Sequence, residues 1–153
     1  MTPIELEQYL HSHIPLSEAM QVSVVSVQPN SIILSAPLEP NINHRDTVFG
    51  GSASAVAILA GWSLLHLRLK SAGISCRLVI QRNTMNYTSP IAGPFTARSS
   101  VHGGTTWEAF LRMLARKGRA RVTASSVLEY NGQIAGEFNG EFVALDATSC
   151  KAD

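Results

Sequence analysis

Residues 47–67 read TVFGGSASAVAILAGWSLLHL, twenty-one positions whose only titratable side chain is that of His66. A run this long and apolar is either a membrane span or a helix that the rest of the protein buries. Gly50, Gly51, Ser52, Ser54, Gly61, Ser63 and His66 dilute it, and the flanking sequence reads as strands, so we expect a buried helix and no membrane association. From Gly51 onward the segment is rich in Ala and Leu, carries its charges only at Arg68 and Lys70, and meets a stop at Gly73. A helix of this kind in a small protein needs a wrapper, and only the remaining chain can supply it.

That remainder is rich in strand and turn signals. Thr2-Pro3-Ile4-Glu5 combines a capping residue, a proline suited to the first helical position and a glutamate placed to bond back, which predicts a helix to about His13. Residues 21–28 and 31–37 are rich in β-branched side chains and flank Pro29-Asn30, a hairpin pattern. A long strand is predicted over 75–89 and another over 94–101, after the turn at 90–93. Strands over 119–130 and 133–145 join across Asn131-Gly132, the strongest hairpin signal in the chain. Before them, Thr105-Thr-Trp-Glu108 reads as a capping box, and Trp107, Phe110, Leu111 and Leu114 recur at helical spacing, predicting a helix over 107–117. The tail from Ala147 is expected to be loose. The order implies an α+β fold, an antiparallel sheet of about six strands wrapped around a long central helix.

Length and composition bound the function. The 153 residues fit one domain, 1–153, with its core at about 5–146. With 45% hydrophobic and 15% charged residues the chain is charge-poor, which suggests that another subunit covers part of its surface. A net charge of +1 gives no overall footprint for nucleic acid, and the one basic run has no aromatic platform interleaved with it. Cys76 and Cys150 have no metal or redox spacing, so we expect no metal site and two unpaired thiols in a reducing compartment. The acidic start Met1-Thr-Pro-Ile-Glu5 lacks the pattern of a secretory signal, and we expect a cytoplasmic protein.

The stretch EPNINHRDTVFGGS, residues 39–52, leads into the apolar helix and places Asn43 shortly before Phe49-Gly50-Gly51. Together with the preceding hairpin and the strand ending Asn86-Tyr-Thr-Ser-Pro-Ile-Ala-Gly93, it resembles the hotdog-fold thioesterases of acyl-CoA and acyl carrier protein. Within them it is most similar to the thioesterase domain found alone or fused behind an acetyltransferase domain, and the likeness covers about 5–146. The resemblance implies a homodimer or a dimer of dimers with sites shared between subunits. It implies no cofactor beyond the phosphopantetheine that the substrate itself carries.

The first turn of a helix leaves backbone N–H groups unpaired and carries partial positive charge, so it can hold a developing oxyanion. By analogy with the family, a thioester carbonyl would lie against the N–H groups of Gly51 and Ser52, a contribution of about 3 to 4 kcal/mol for each good donor. Asn43 would add its amide or orient the acyl group. The resemblance makes Asn43, Gly51 and Ser52 the catalytic candidates, with Phe49, Gly50, Asn86 and Tyr87 around the substrate. The basic run Arg112, Arg116, Lys117, Arg119 and Arg121 has Glu108 as its only acidic neighbour between residues 95 and 128. It suits the phosphates of coenzyme A or the acidic face of a carrier protein, with Arg116 and Arg119 as substrate-binding candidates.

The sequence departs from the family at one point. Many of these thioesterases carry a carboxylate about two turns into the central helix, where this chain has Ala55-Val-Ala-Ile-Leu-Ala60, and the histidine that often precedes the two glycines is Phe49. Hydrolysis needs a group that activates water or attacks the carbonyl. His44 and Asp46 in the loop and His66 on the helix are the substitutes, while Glu108 reads as a cap and Ser52 and Ser54 lack a base. Relatives of this domain decarboxylate malonyl-carrier protein to acetyl-carrier protein, which needs an oxyanion site but no nucleophile. Hydrolysis, decarboxylation and acyl-thioester binding without catalysis remain the three readings.

Overall fold

The computed structural model describes residues 1–101 and 105–146. Helix α1, Pro3–His13, opens with Thr2 and Glu5 bonded reciprocally, as the capping pattern implies. A five-residue helix, α2, Pro15–Ala19, follows that the sequence pattern did not announce. Strands β1, Ser23–Gln28, and β2, Ser31–Ala36, form the first hairpin, and a short 3-10 turn spans Glu39–Asn41. The apolar run becomes α3, Gly50–Ser71. Then come β3, Cys76–Tyr87, β4, Phe95–Ser100, α4, Thr105–Lys117, β5, Arg119–Tyr130, and β6, Gln133–Asp146. The expected loose tail and Cys150 lie outside the described residues, and α4 begins at Thr105, the residue expected to cap it, two residues before the expected start.

The strands make one antiparallel sheet in the order β1-β2-β4-β5-β6-β3. Its register puts Ala97 opposite both Leu34 and Leu128, and Ser99 opposite both Ile32 and Ser126. Because side chains alternate along a strand, these buried residues share one face, and α3 packs on it. Helix α3 meets the sheet with small residues, Ala53, Ala57 and Ala60, beside Val56, Leu64 and Leu65, all buried. Each fully buried Leu contributes about 1.5–3 kcal/mol. The hydroxyl of Ser126 donates to the carbonyl of Ala57 at 2.9 Å, a polar tie between sheet and helix inside the core. Asn131 and Gly132, with φ of 52° and 76°, turn β5 into β6 as their residue types imply. One antiparallel sheet curled around one long helix is the hotdog arrangement. By length and composition α3 would suit a membrane, but its apolar residues belong to the core.

The two edges of the sheet differ. Along β1, the backbone N–H of Val24 donates to Glu7 of α1 at 2.8 Å, and the ring of His11 meets the carbonyl of Val22 at 2.8 Å. The other edge is β3, twelve residues long, with Val79 48% exposed and Tyr87 56% exposed.

Candidate active site at the start of the central helix

The loop that feeds α3 is held from both ends. Asn41 is only 2% exposed, and its Nδ2 donates to the carbonyls of Met20 and Pro37 at 2.9 and 2.8 Å. Its own carbonyl accepts from the N–H of Phe49 at 2.7 Å, and a bridge pairs Ile42 with Val48. Asn41, to which the sequence pattern assigns no role, thus anchors the loop. Asn43 closes the tip: its Oδ1 accepts from the N–H groups of Arg45 and Thr47 at 2.8 and 3.2 Å, and its Nδ2 donates to Thr47 Oγ1 at 2.9 Å. Those bonds engage its carbonyl oxygen twice and one of its two amide hydrogens. His44, Arg45 and Asp46 stand exposed at the tip, Asp46 with φ of 60°.

Phe49 is the N-cap of α3 and offers no side-chain acceptor. The first bond within the helix runs from the N–H of Ala53 to the carbonyl of Phe49 at 3.0 Å, so Gly50, Gly51 and Ser52 present the helix's orphan N–H groups. With no acidic residue in the first turn, the partial positive charge there has no local carboxylate to offset it. A Cβ at Gly51 would come within 2.4 Å of Cε1 of Phe49 as that side chain stands, and Phe49 is 57% exposed. Tyr87, at the end of β3, donates its hydroxyl to the carbonyl of Gly50 at 3.0 Å and pins the turn. Beside it opens a cavity of about 330 Å³ walled by Val48, Gly50, Ala53, Tyr87, Ile91 and Leu128.

The structure therefore gathers Phe49, Gly50, Gly51, Ser52 and Tyr87 at one point, with the Asn43 loop leading into it. Asn86 neighbours Tyr87 on β3 but belongs to the opposite face of the strand. Arg116 and Arg119 lie elsewhere. Arg119 and Arg77 both sit opposite Leu145, whereas Tyr87 sits opposite Gly136, so ten residues of β3 separate the two ends. At strand rise that is about 33 Å within one chain.

No carboxylate stands on the buried part of α3, where Val56, Ala57 and Ala60 face the core. His66 lies sixteen residues beyond Gly50, about 24 Å along the helix, stacked between Trp62 at 4.6 Å and Tyr9 at 5.1 Å. Burial, then the charges of Lys70 and His13, lowers its pKa, and its Nε2 is buried without a partner among the described residues. Cys76 is a free thiol whose pKa is raised by burial and then by Asp146, which disfavours the reactive thiolate. Among the described residues no group of three His, Cys, Asp or Glu could hold a metal.

A family model described as putative thioesterase (yiiD_Cterm) matches residues 4–146. Among solved structures, a protein of unknown function from Chlorobaculum tepidum is 29% identical over 95% of this chain and 97% of that chain, with a TM-score of 0.89. A putative thioesterase from Shewanella oneidensis is 26% identical over 94% of this chain and 96% of that chain, with a TM-score of 0.82. A probable thioesterase from Pseudomonas aeruginosa, 18% identical over 94% and 95% of the two chains, shares the fold with a TM-score of 0.79.

Proposed function

The chain belongs to the putative thioesterase family yiiD_Cterm, and on that premise we propose that it hydrolyses an acyl thioester whose carbonyl oxygen rests on the N–H groups of Gly51 and Ser52. The observation that carries this reading is the uncapped start of α3, with its orphan N–H groups beside an apolar cavity. Attack on a thioester carbonyl moves charge onto its oxygen, and donors fixed by a helix need no reorganisation to receive it. The acyl chain takes the cavity, Phe49 and Tyr87 flank the thioester, and Asn43 holds the loop that sets their entry angle. The acyl group arrives on the phosphopantetheine of coenzyme A or of a carrier protein, so no further cofactor is needed. We place the reaction in the cytoplasm, where such thioesters circulate.

The working unit in this reading is a dimer formed along β3, whose long open edge offers backbone groups to a second copy. A two-fold axis pairs β3 with its copy antiparallel. The Arg77 and Arg119 end of one chain then lies beside the Tyr87 end of the other, which brings Arg116 and Arg119 toward the phosphates or the acidic carrier of the partner's substrate. The water-activating group comes from His44 or Asp46 at the exposed loop tip, or from the second subunit.

The absence of a carboxylate on the buried part of α3 favours a second reaction at the same donors. In a malonyl thioester the bond to the free carboxylate breaks, carbon dioxide leaves, and the electron pair passes to the carbonyl oxygen as an enolate. Protonation at carbon then gives the acetyl thioester, with no nucleophile or activated water. Intact-mass analysis of malonyl- and acetyl-carrier protein incubated with the enzyme separates the cases. Free carrier thiol assigns hydrolysis, malonyl converted to acetyl assigns decarboxylation, and tight binding with neither product replaces both with a binding module.

A further inference from the structure

At the opposite end of α3, about 27 Å from Gly50, Arg68 stands in the wall of a cavity of about 660 Å³. Val27, Leu64, Leu67 and Trp107 give that cavity apolar walls, and Lys70 adds a second cation. The guanidinium carbon of Arg68 lies 4.2 Å from the centroid of the Trp107 ring, which holds the group against an aromatic face. Its five N–H donors make no hydrogen bond to any described residue, and Nη1 is buried without a partner. No described carboxylate pairs with it: the ion pairs present join Arg82 to Glu141 and Arg98 to Glu129. Burial, with no opposing charge, lowers its pKa from the usual arginine value.

The end of a helix favours cations, which accounts for a basic residue in this turn. It does not account for a guanidinium set against an aromatic ring with its Nη1 buried and unpartnered among the described residues. A partly buried cation in that state has no protein counter-ion among the described residues. The cavity beside it has the size of small-molecule sites, and its wall is mixed, with Val27, Leu64, Leu67 and Trp107 apolar and Gln28, Asn30, Lys70 and Ser71 polar, as a ligand with a polar head and an apolar body requires.

We propose that this end of the molecule binds a small amphiphilic anion, its carboxylate or phosphate head held by the Arg68 fork and its apolar body lying along Leu64, Leu67, Val27 and Trp107. The planar guanidinium matches either head group in a two-pronged bond, and the Trp107 contact orients it before the ligand arrives. The site is separate from the helix start and does not depend on the reaction proposed there.

Calorimetric titration of the full chain with octanoate, octyl phosphate, octanol and inorganic phosphate tests it. The wild type should bind octanoate or octyl phosphate at least about tenfold more tightly than octanol or inorganic phosphate, since head and body both contribute. Whichever of the two amphiphiles binds better identifies the head group. Arg68→Met should weaken that binding by about tenfold or more while unfolding at or above the wild-type temperature, because it removes an unpaired partly buried charge. Arg68→Lys, which keeps the charge but loses the fork, should fall between them and serves if the methionine variant does not fold. Tyr87→Phe, at the other end of α3, should bind the amphiphile like the wild type. The proposal is overturned if the wild type binds neither amphiphile, if Arg68→Met binds as tightly as the wild type, or if inorganic phosphate alone binds as tightly as octyl phosphate.

Discussion

What a side chain at Gly51 would meet is a ring rather than a strained backbone angle. Alanine there would place a Cβ within 2.4 Å of the Phe49 ring, and that ring is exposed enough to swing away. Gly51→Ala should therefore change stability by no more than about 1 kcal/mol, since better helix propensity offsets the displacement. Turnover should drop, because Cβ and the moved ring crowd the N–H groups, and Phe49→Ala in the same chain should restore part of it. Kinetics and thermal unfolding of the two single variants and the double variant check this. Asn43→Ala should cost at least about tenfold in kcat/KM without unfolding the protein. Asn43→Asp separates two roles: it keeps the oxygen that accepts from Arg45 and Thr47 and loses the amide donor. Retained rate assigns Asn43 to the loop, and lost rate assigns it to the substrate if Thr47→Val, which removes the amide's partner in the loop, keeps full rate. The sequence marked Asn43 and the two glycines as a helix entrance, because turn residues before an uncharged run are a local signal. It gave no hint that Asn41 is the anchor, since its partners Met20 and Pro37 come from the ends of the preceding segments and meet it only after folding.

At the level of elements, the long helices and strands were legible because each carries its own period, cap or turn. Helix α2 was not, because five residues are too few to show a period. The packing of α1 on α3 was also hidden, and it has a pH dependence. His66 is stacked between Tyr9 and Trp62, and its folded pKa lies below the usual value of about 6.5. The unfolded chain therefore takes up a proton that the folded chain refuses, so stability is full above that value and is lost as pH falls toward the folded pKa. His66→Phe should flatten this part of the profile. Thermal midpoints of the variant and the wild type at about pH 7.5 and about pH 5.5 give the comparison, and equal slopes would remove His66 from the account.

For the whole molecule, the open edge of β3 sets the strongest expectation. Sedimentation should give the mass of a dimer or a multiple of it. Val79→Asp, which puts a charge on an exposed position in the first third of that edge, should yield monomers with little activity. The sequence offered Arg116 and Arg119 as substrate-binding candidates, and within one chain Arg119 lies a strand's length from Tyr87 at the helix entrance. No local pattern can say whether a residue serves its own chain or a second copy, so that part of the site was out of reach. The central claim, that α3 receives the reacting oxygen on its orphan N–H groups, is tested most directly by replacing the amide of residue 52 with an ester. That change deletes a donor with no partner inside the helix. Turnover of the preferred thioester should fall by about a hundredfold with the thermal midpoint nearly unchanged, and full turnover by the ester variant would contradict the account.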